Sequence, residues 1–309
     1  MVHTGEFFVK LDINLDMELI KILEEIKVIK DKGIIIMLKK IPLKFGNEYR
    51  LYLFVDFIEL LERAEIKADD IDEILEKINI LVRAILKRCF DLELNRIDYR
   101  YDVEIVSENA RKLLLKLLNK GLDRSNYMKK IDKYEGTVRY YAKSKSNNIY
   151  DKENERNHKG EEIKDYERNI MRFEAQVKKS HLRYKKYKSN ISLELEEYFT
   201  FQKYKEYMEK MIIKTIFKGD FYNLYHAKKI INKSSIRNKY KDEVIEFLNN
   251  TSKKRSLSKT KEQYGRYKYD KYIGILEELK INPIIIPEKE RVTYLSNPLR
   301  ELINIFDNN

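Results

Sequence analysis

Between Arg96 and Val103 the chain reads Arg-Ile-Asp-Tyr-Arg-Tyr-Asp-Val, and this strict alternation of charged and apolar residues fits a β-strand. Arg96, Asp98, Arg100 and Asp102 fall on one face, and Ile97, Tyr99, Tyr101 and Val103 on the other. Met171 to Lys178 repeats the period: Met171, Phe173, Ala175 and Val177 face a core, while Arg172, Glu174, Gln176 and Lys178 face out. Any fold for this chain must give both segments a half-polar sheet position.

Around these strands the periodicity changes repeatedly. Glu6 to Asn14 reads as a strand, and Leu19, Ile22, Leu23, Ile26 and Ile29 mark an amphipathic helix after Asp16. Gly33 to Lys44 and Tyr49 to Leu61 are β-rich runs joined at Phe45-Gly46-Asn47. A second long helix follows Asp69, on Ile71, Ile74, Leu75, Ile78, Leu81, Ile85 and Cys89. Leu92 to Ile105 is the next strand, and Ser107 caps a helix closed by Gly121. Thr137 to Ala142 and Asn148 to Asp151 flank a polar tip, Lys143 to Asn147. From about Ser192 helices dominate: Leu193 to Phe217, Asp242 to Leu248 and Tyr267 to Lys280, with a basic loop from Ser252 to Lys259.

Strands and helices interleave without a strict β-α-β rhythm, which predicts an α+β fold with a mostly antiparallel sheet and covering helices over residues 1–190. A mainly helical domain is expected over residues 191–309. Its last elements, followed by the β-like Ile284 to Ile286, fit a helix-turn-helix or winged-helix unit and equally a small helical bundle.

With 43% apolar residues among 309, the chain can bury a core, and wholesale disorder is excluded. Lys and Arg number 63 against 51 Asp and Glu, a net charge of +12. The excess is unevenly spread: about −3 over residues 1–100, +6 over 101–200 and +9 over 201–309. A polyanionic partner is implied, contacted by the C-terminal two-thirds. The single cysteine, Cys89, excludes an intramolecular disulfide and a cysteine-based zinc site. The longest unbroken apolar run, Ile34 to Leu38, is far short of the roughly 20 residues of a membrane span, so a cytoplasmic location without membrane contact is expected.

Asp98, Asp102 and Glu174 are oxygen donors of the kind that suits Mg²⁺ or Mn²⁺, provided their strands are neighbours. The competing account is charge pairing along half-exposed strand faces, for instance Glu174 with Arg172. Tyr150, at the end of the second strand pair, is a candidate nucleophile. A phenol normally ionises near ~10 and needs a neighbouring cation or base, and Lys152, two residues on, is the candidate to steady it. Most of the 23 tyrosines must simply pack. Tyr140 and Tyr141, on opposite faces of the adjoining strand, offer one further tyrosine to the site. Basic side chains available for phosphate contact are Arg96, Arg100, Lys143, Lys145, Arg172, Arg183, Lys185, Lys186, Lys253, Lys254 and Arg255. In His181 to Lys188 cations interleave with aromatics, a combination suited to a melted strand and equally to a solvated loop.

The stretches RIDYRYDV, AKSKSNNIYDKENER and MRFEAQVKK, in this order, resemble rolling-circle replication initiators of the filamentous-phage gene II/X type and of small Gram-positive plasmids. The resemblance covers roughly residues 90–180. It implies a Rep-type nuclease in which Tyr150 nicks one origin strand and Asp98, Asp102 and Glu174 hold a divalent metal. The His-hydrophobic-His motif of better-known relatives is absent, since His3, His158, His181 and His226 are scattered; His158 and His181 stay open as metal ligands. The reading expects double- and single-stranded origin DNA as substrate, admits a homodimer, and by analogy expects a host helicase and polymerase as partners. Its competitor is a non-catalytic basic DNA-binding regulator that binds an operator without cleaving it.

Overall fold

The protein is described by a computed structural model covering residues 1–88, 90–125, 128–131 and 136–308. Cys89 lies outside the described residues. The chain is α+β, with an antiparallel sheet and a mostly helical C-terminal part. Its close contacts divide it into two compact units, 1–100 with 143–145 and 175–207, and 101–142 with 146–174 and 208–309. Residue 190 lies inside the last segment of the first unit.

The elements run β1 (Val2–Lys10), α1 (Met17–Ile26), β2 (Val28–Asp31), β3 (Ile34–Pro42), β4 (Asn47–Asp56), α2 (Phe57–Leu61), α3 (Ile71–Leu86) and β5 (Glu93–Glu104). Next come α4 (Glu108–Gly121), β6 (Arg124–Ser125), β7 (Met128–Ile131), β8 (Thr137–Tyr141), β9 (Lys145–Asp151), α5 (Lys152–Lys159), β10 (Ile170–Lys178) and α6 (Lys179–Ser189). After α7 (Phe201–Tyr207) a π-helical turn, Met208–Ile213, leads into α8 (Lys214–Ile216). The chain ends with β11 (Phe221–Tyr222), α9 (Leu224–Lys233), α10 (Asn238–Lys254), α11 (Leu257–Glu278), β12 (Tyr294–Leu295) and α12 (Arg300–Asn308).

In the first unit the strand order is β2-β3-β4-β1-β5, so the N-terminal strand sits between two later ones. The apolar faces bury Phe7, Leu53, Val55, Ile97 and Tyr99; Phe57 meets Phe199 edge-on at 5.7 Å and Tyr99 stacks on Tyr207 at 5.3 Å. The β2–β3 turn needs Gly33, whose φ is +76° and whose added Cβ would lie 2.8 Å from the Asp56 carbonyl oxygen. Gly33→Ala is therefore expected to cost about 1–3 kcal/mol, read as a lowered midpoint of urea unfolding.

In the second unit β10 is followed by β9, β8, β7 and β6. Ser107 caps α4 as its sequence position predicts, its hydroxyl accepting from the Ala110 N–H at 3.3 Å. Arg111, on that helix and 4% exposed, is a hub. It donates to Asp151 at 2.6 Å, Glu153 at 2.9 Å, Asn169 Oδ1 at 2.9 Å and the Ile105 carbonyl at 2.7 Å. One guanidinium thus ties α4 to the exit of β9, the first turn of α5 and the entrance to β10. A separate apolar cluster of Ala227, Ile231, Val244, Phe247, Leu248, Tyr272 and Leu276 unites α9, α10 and α11.

Several expectations are corrected. The run from Tyr49 stops being a strand at Asp56, whose carboxylate caps α2 by accepting from Ile58 N–H at 2.9 Å. His181 to Lys188, which a solvated loop would also fit, lies within α6, whose buried residue is Leu182. Helix starts only at Phe201, not Leu193. The basic stretch 252–259 is two helix ends: α10 runs to Lys254, Arg255 turns left-handed at φ 48°, and Ser256 caps α11. Ile284 to Ile286 makes a single bridge, Asn223 with Ile286, and no strand.

Candidate functional site

Tyr150 is the penultimate residue of β9, and pairing with β8 sets it opposite Thr137. Its hydroxyl donates a short hydrogen bond to Glu174 Oε1 on β10, and Asn148 Nδ2 donates to the other oxygen of that carboxylate at 3.2 Å. Asn148 and Tyr150 share a face of β9, as Arg172 and Glu174 share a face of β10. The alternation visible in the sequence is thus what collects these groups.

Arg172, 2% exposed, grips both oxygens of Asp102 at 2.8 Å each. Burial pulls this guanidinium down, but Asp102, Tyr150 and Glu174 outweigh it and hold Arg172 well above its ordinary value. Burial pushes the Tyr150 phenol well above its usual range, and the Glu174 charge adds to this while Arg172 opposes it. The cluster therefore holds a protonated phenol hydrogen-bonded to a carboxylate, with a fixed cation beside both.

Burial likewise raises the phenols of Tyr99 and Tyr140. A raised folded value means that the stability held below the unfolded phenol value, near ~10, is lost as pH rises through it toward the folded values. Alkaline titration followed by phenolate absorbance is expected to show these tyrosines ionising together with unfolding.

The other predicted residues are placed differently. Asp98 lies in the first unit and is 2% exposed; it accepts from Thr4 Oγ1 at 2.7 Å, Arg96 Nε at 2.8 Å and Gln176 Nε2 at 3.3 Å. Lys152 is not on the strand with Tyr150: Asp151 ends β9 and caps α5, and Lys152 opens that helix. Its ammonium is bound to Glu155 at 2.7 Å and Glu167 at 3.6 Å, and burial, then Arg172, lowers it. Lys152 thus serves α5 rather than the phenol. Arg100 and Arg172 are buried, spent on the Ala64 carbonyl and on Asp102, so neither offers a surface for phosphate. Lys143, Arg183, Lys186, Lys253, Lys254 and Arg255 are exposed; Arg96, Lys145 and Lys185 are half-buried. Tyr140 is buried and Tyr141 exposed, as opposite faces require. His181 bonds the Tyr207 hydroxyl at 3.1 Å.

Sequence reasoning passed over Asn148, Gln176 and Thr4 as partners of the acids. Gln176 sits on the predicted polar face of β10, and Asn148 stands two residues before Tyr150 in one strand, where the period could have flagged it; Thr4 has no local signal, since only the pairing of β1 with β5 brings it to Asp98.

Asp102 and Glu174 belong to the second unit and Asp98 to the first. Asp102 spends both oxygens on Arg172, and among the described residues no three His, Cys, Asp or Glu side chains gather as a metal-holding group. No helix is long and apolar enough to cross a membrane. Comparison with family models and with curated proteins finds no match to this chain.

Proposed function

We propose that the chain is a rolling-circle replication initiator that nicks and rejoins one strand of origin DNA, with Tyr150 as nucleophile. The observation that carries the reading is the Tyr150 hydroxyl donating to Glu174 beside the buried Arg172. In the proposed step the phenolic oxygen bonds to phosphorus and its proton passes to Glu174. The bond to the 3′ oxygen breaks, and that oxygen takes up a proton to become a free 3′-OH. The protein is left on the 5′ phosphate, and the reverse attack rejoins the strand without an external energy source. Arg172, held on Asp102, makes no contact with the phosphate and acts as a fixed positive charge beside the phenol and Glu174.

Mg²⁺ or Mn²⁺ belongs to the proposal as the cofactor that the resemblance to replication initiators implies. The proposed layout gives residues 1–190 the chemistry and residues 191–309 a helix-turn-helix or winged-helix role in recognising the duplex origin. Origin DNA in both forms, a host helicase and polymerase, a second copy of the chain and a cytoplasmic location are parts of the same reading.

The test is incubation of the protein, with either ion and with a chelator, against supercoiled plasmid carrying its own gene and flanks. An adduct that survives SDS supports nicking. Salt-sensitive binding without any adduct, also on a DNA carrying more of the parent element, rejects it. One observation favours the second reading, a binding-only regulator: Tyr150 is only 7% exposed and its acid neighbours are already paired.

A further inference from the structure

Three cations converge on the ring of Phe8, a buried residue of β1. Lys179 Nζ lies 4.3 Å from the ring centroid, the Arg183 guanidinium 5.7 Å and that of Arg50 5.9 Å. All four residues belong to the first unit. The Phe8 ring attracts each cation, but the cations repel one another. Lys179 and Arg183 are like charges at i and i+4 of α6, and Lys179 opens the helix, where the backbone dipole already presents positive charge.

Of the described acids nearby, only Glu48 pairs with a member of the cluster, Arg50, and none pairs with Lys179 or Arg183. Glu48 holds Lys10 at 2.7 Å as well as Arg50, Glu6 takes the Asn95 amide, and Glu93 faces Lys186 at 3.4 Å. Burial first, then Arg183 and Arg50, draws the Lys179 ammonium below its ordinary value, and Glu6 and Glu93 offset only part of this. Among the described residues Lys179 and Arg183 make no ion pair with a carboxylate. A folded chain that keeps such repulsion on one aromatic face is built for an anion that is bound from outside.

We propose that Arg50, Lys179 and Arg183, gathered on Phe8, bind the phosphodiester backbone of a nucleic-acid strand. An extended polymer suits the surroundings better than a free phosphate: α6 continues the charge through Lys186 and Lys188 and exposes Tyr184 and Tyr187, which can stack on bases. The inference rests on the proposed DNA function for the identity of the polymer and needs no nicking chemistry.

The test measures binding of the full chain to a fluorescein-labelled oligothymidine of about 20 nucleotides, longer than one stacking groove, across a sodium chloride series. Lys179→Gln/Arg183→Gln is expected to flatten the salt slope by about 0.7 for each cation removed, where Lys21→Gln on the far side of the sequence leaves it unchanged. The thermal midpoint of the unbound double variant is expected to hold or rise, because repulsion is relieved. An unchanged slope overturns the proposal, as does a wild-type chain that fails to bind at low salt, or binding lost together with a lowered midpoint. Inorganic phosphate raising the wild-type midpoint while the slope stays unchanged would reassign the cluster to a small free anion. Tyr150→Phe is measured alongside: strand binding intact in both, with no adduct from wild type, rejects nicking and leaves this site standing.

Discussion

Tyr150→Phe is expected to abolish the SDS-stable adduct and strand cleavage, a loss on the order of 10⁵- to 10⁶-fold, the scale met when an enzyme loses its nucleophile. Binding of the same DNA should stay within about twofold of wild type, since the ring remains and no phosphate contact is removed. The change also removes the Tyr150 hydrogen bond to Glu174 while that from Asn148 remains, so a stability loss of about 1–3 kcal/mol is expected. Glu174→Gln separates the roles, because an amide keeps the size of the side chain and cannot take a proton. Cleavage should fall by roughly 10²- to 10⁴-fold in single-turnover assays. Undiminished cleavage in Tyr150→Phe would move the nucleophile to another residue.

Arg111→Met is expected to be the most destabilising single change in the second unit, by about 3–5 kcal/mol. Methionine fills much of the volume but leaves Asp151 and Glu153 as buried or half-buried carboxylates without their shared cation, and the Ile105 carbonyl without its donor. Urea unfolding should show the midpoint falling. A change below about 1 kcal/mol would mean that water replaces the guanidinium at Asp151. Because Asp151 follows Tyr150 directly, a smaller movement at this hub should also reach the candidate site.

The alternation of β5 and β10 was legible because a period of two survives any tertiary context, and so were Ser107 as a cap and Gly121 as a helix end; the expected outward exposure was not met, since Asp98, Arg100, Arg172, Glu174 and Gln176 are all buried. What the period does not encode is the partner across the strand. Residue type marked Asp102 as an oxygen donor, and only the neighbouring strand shows that its partner here is Arg172. Lys152 was misplaced for a similar reason: β9 and α5 abut with no turn residue between them, so a two-residue spacing that means one face in a strand means something else once Asp151 caps a helix. The long α11 hides a comparable break, since Gly265 at φ +71° and ψ 163° divides it into two helices where the sequence shows one polar run.

The first compact unit is assembled from residues 1–100, 143–145 and 175–207, separated in sequence by residues 101–142 and 146–174 of the second. During synthesis, at about 5–20 residues per second, its opening sheet must wait for the ribosome to deliver Leu195, Tyr198, Phe199 and Tyr207, all buried in it. A nascent chain arrested near residue 190 would display Phe57 and Tyr99 without their aromatic partners, as a sticky intermediate and a natural client for a holdase chaperone. Expression yield of truncated genes should therefore rise sharply once the stop codon passes Tyr207.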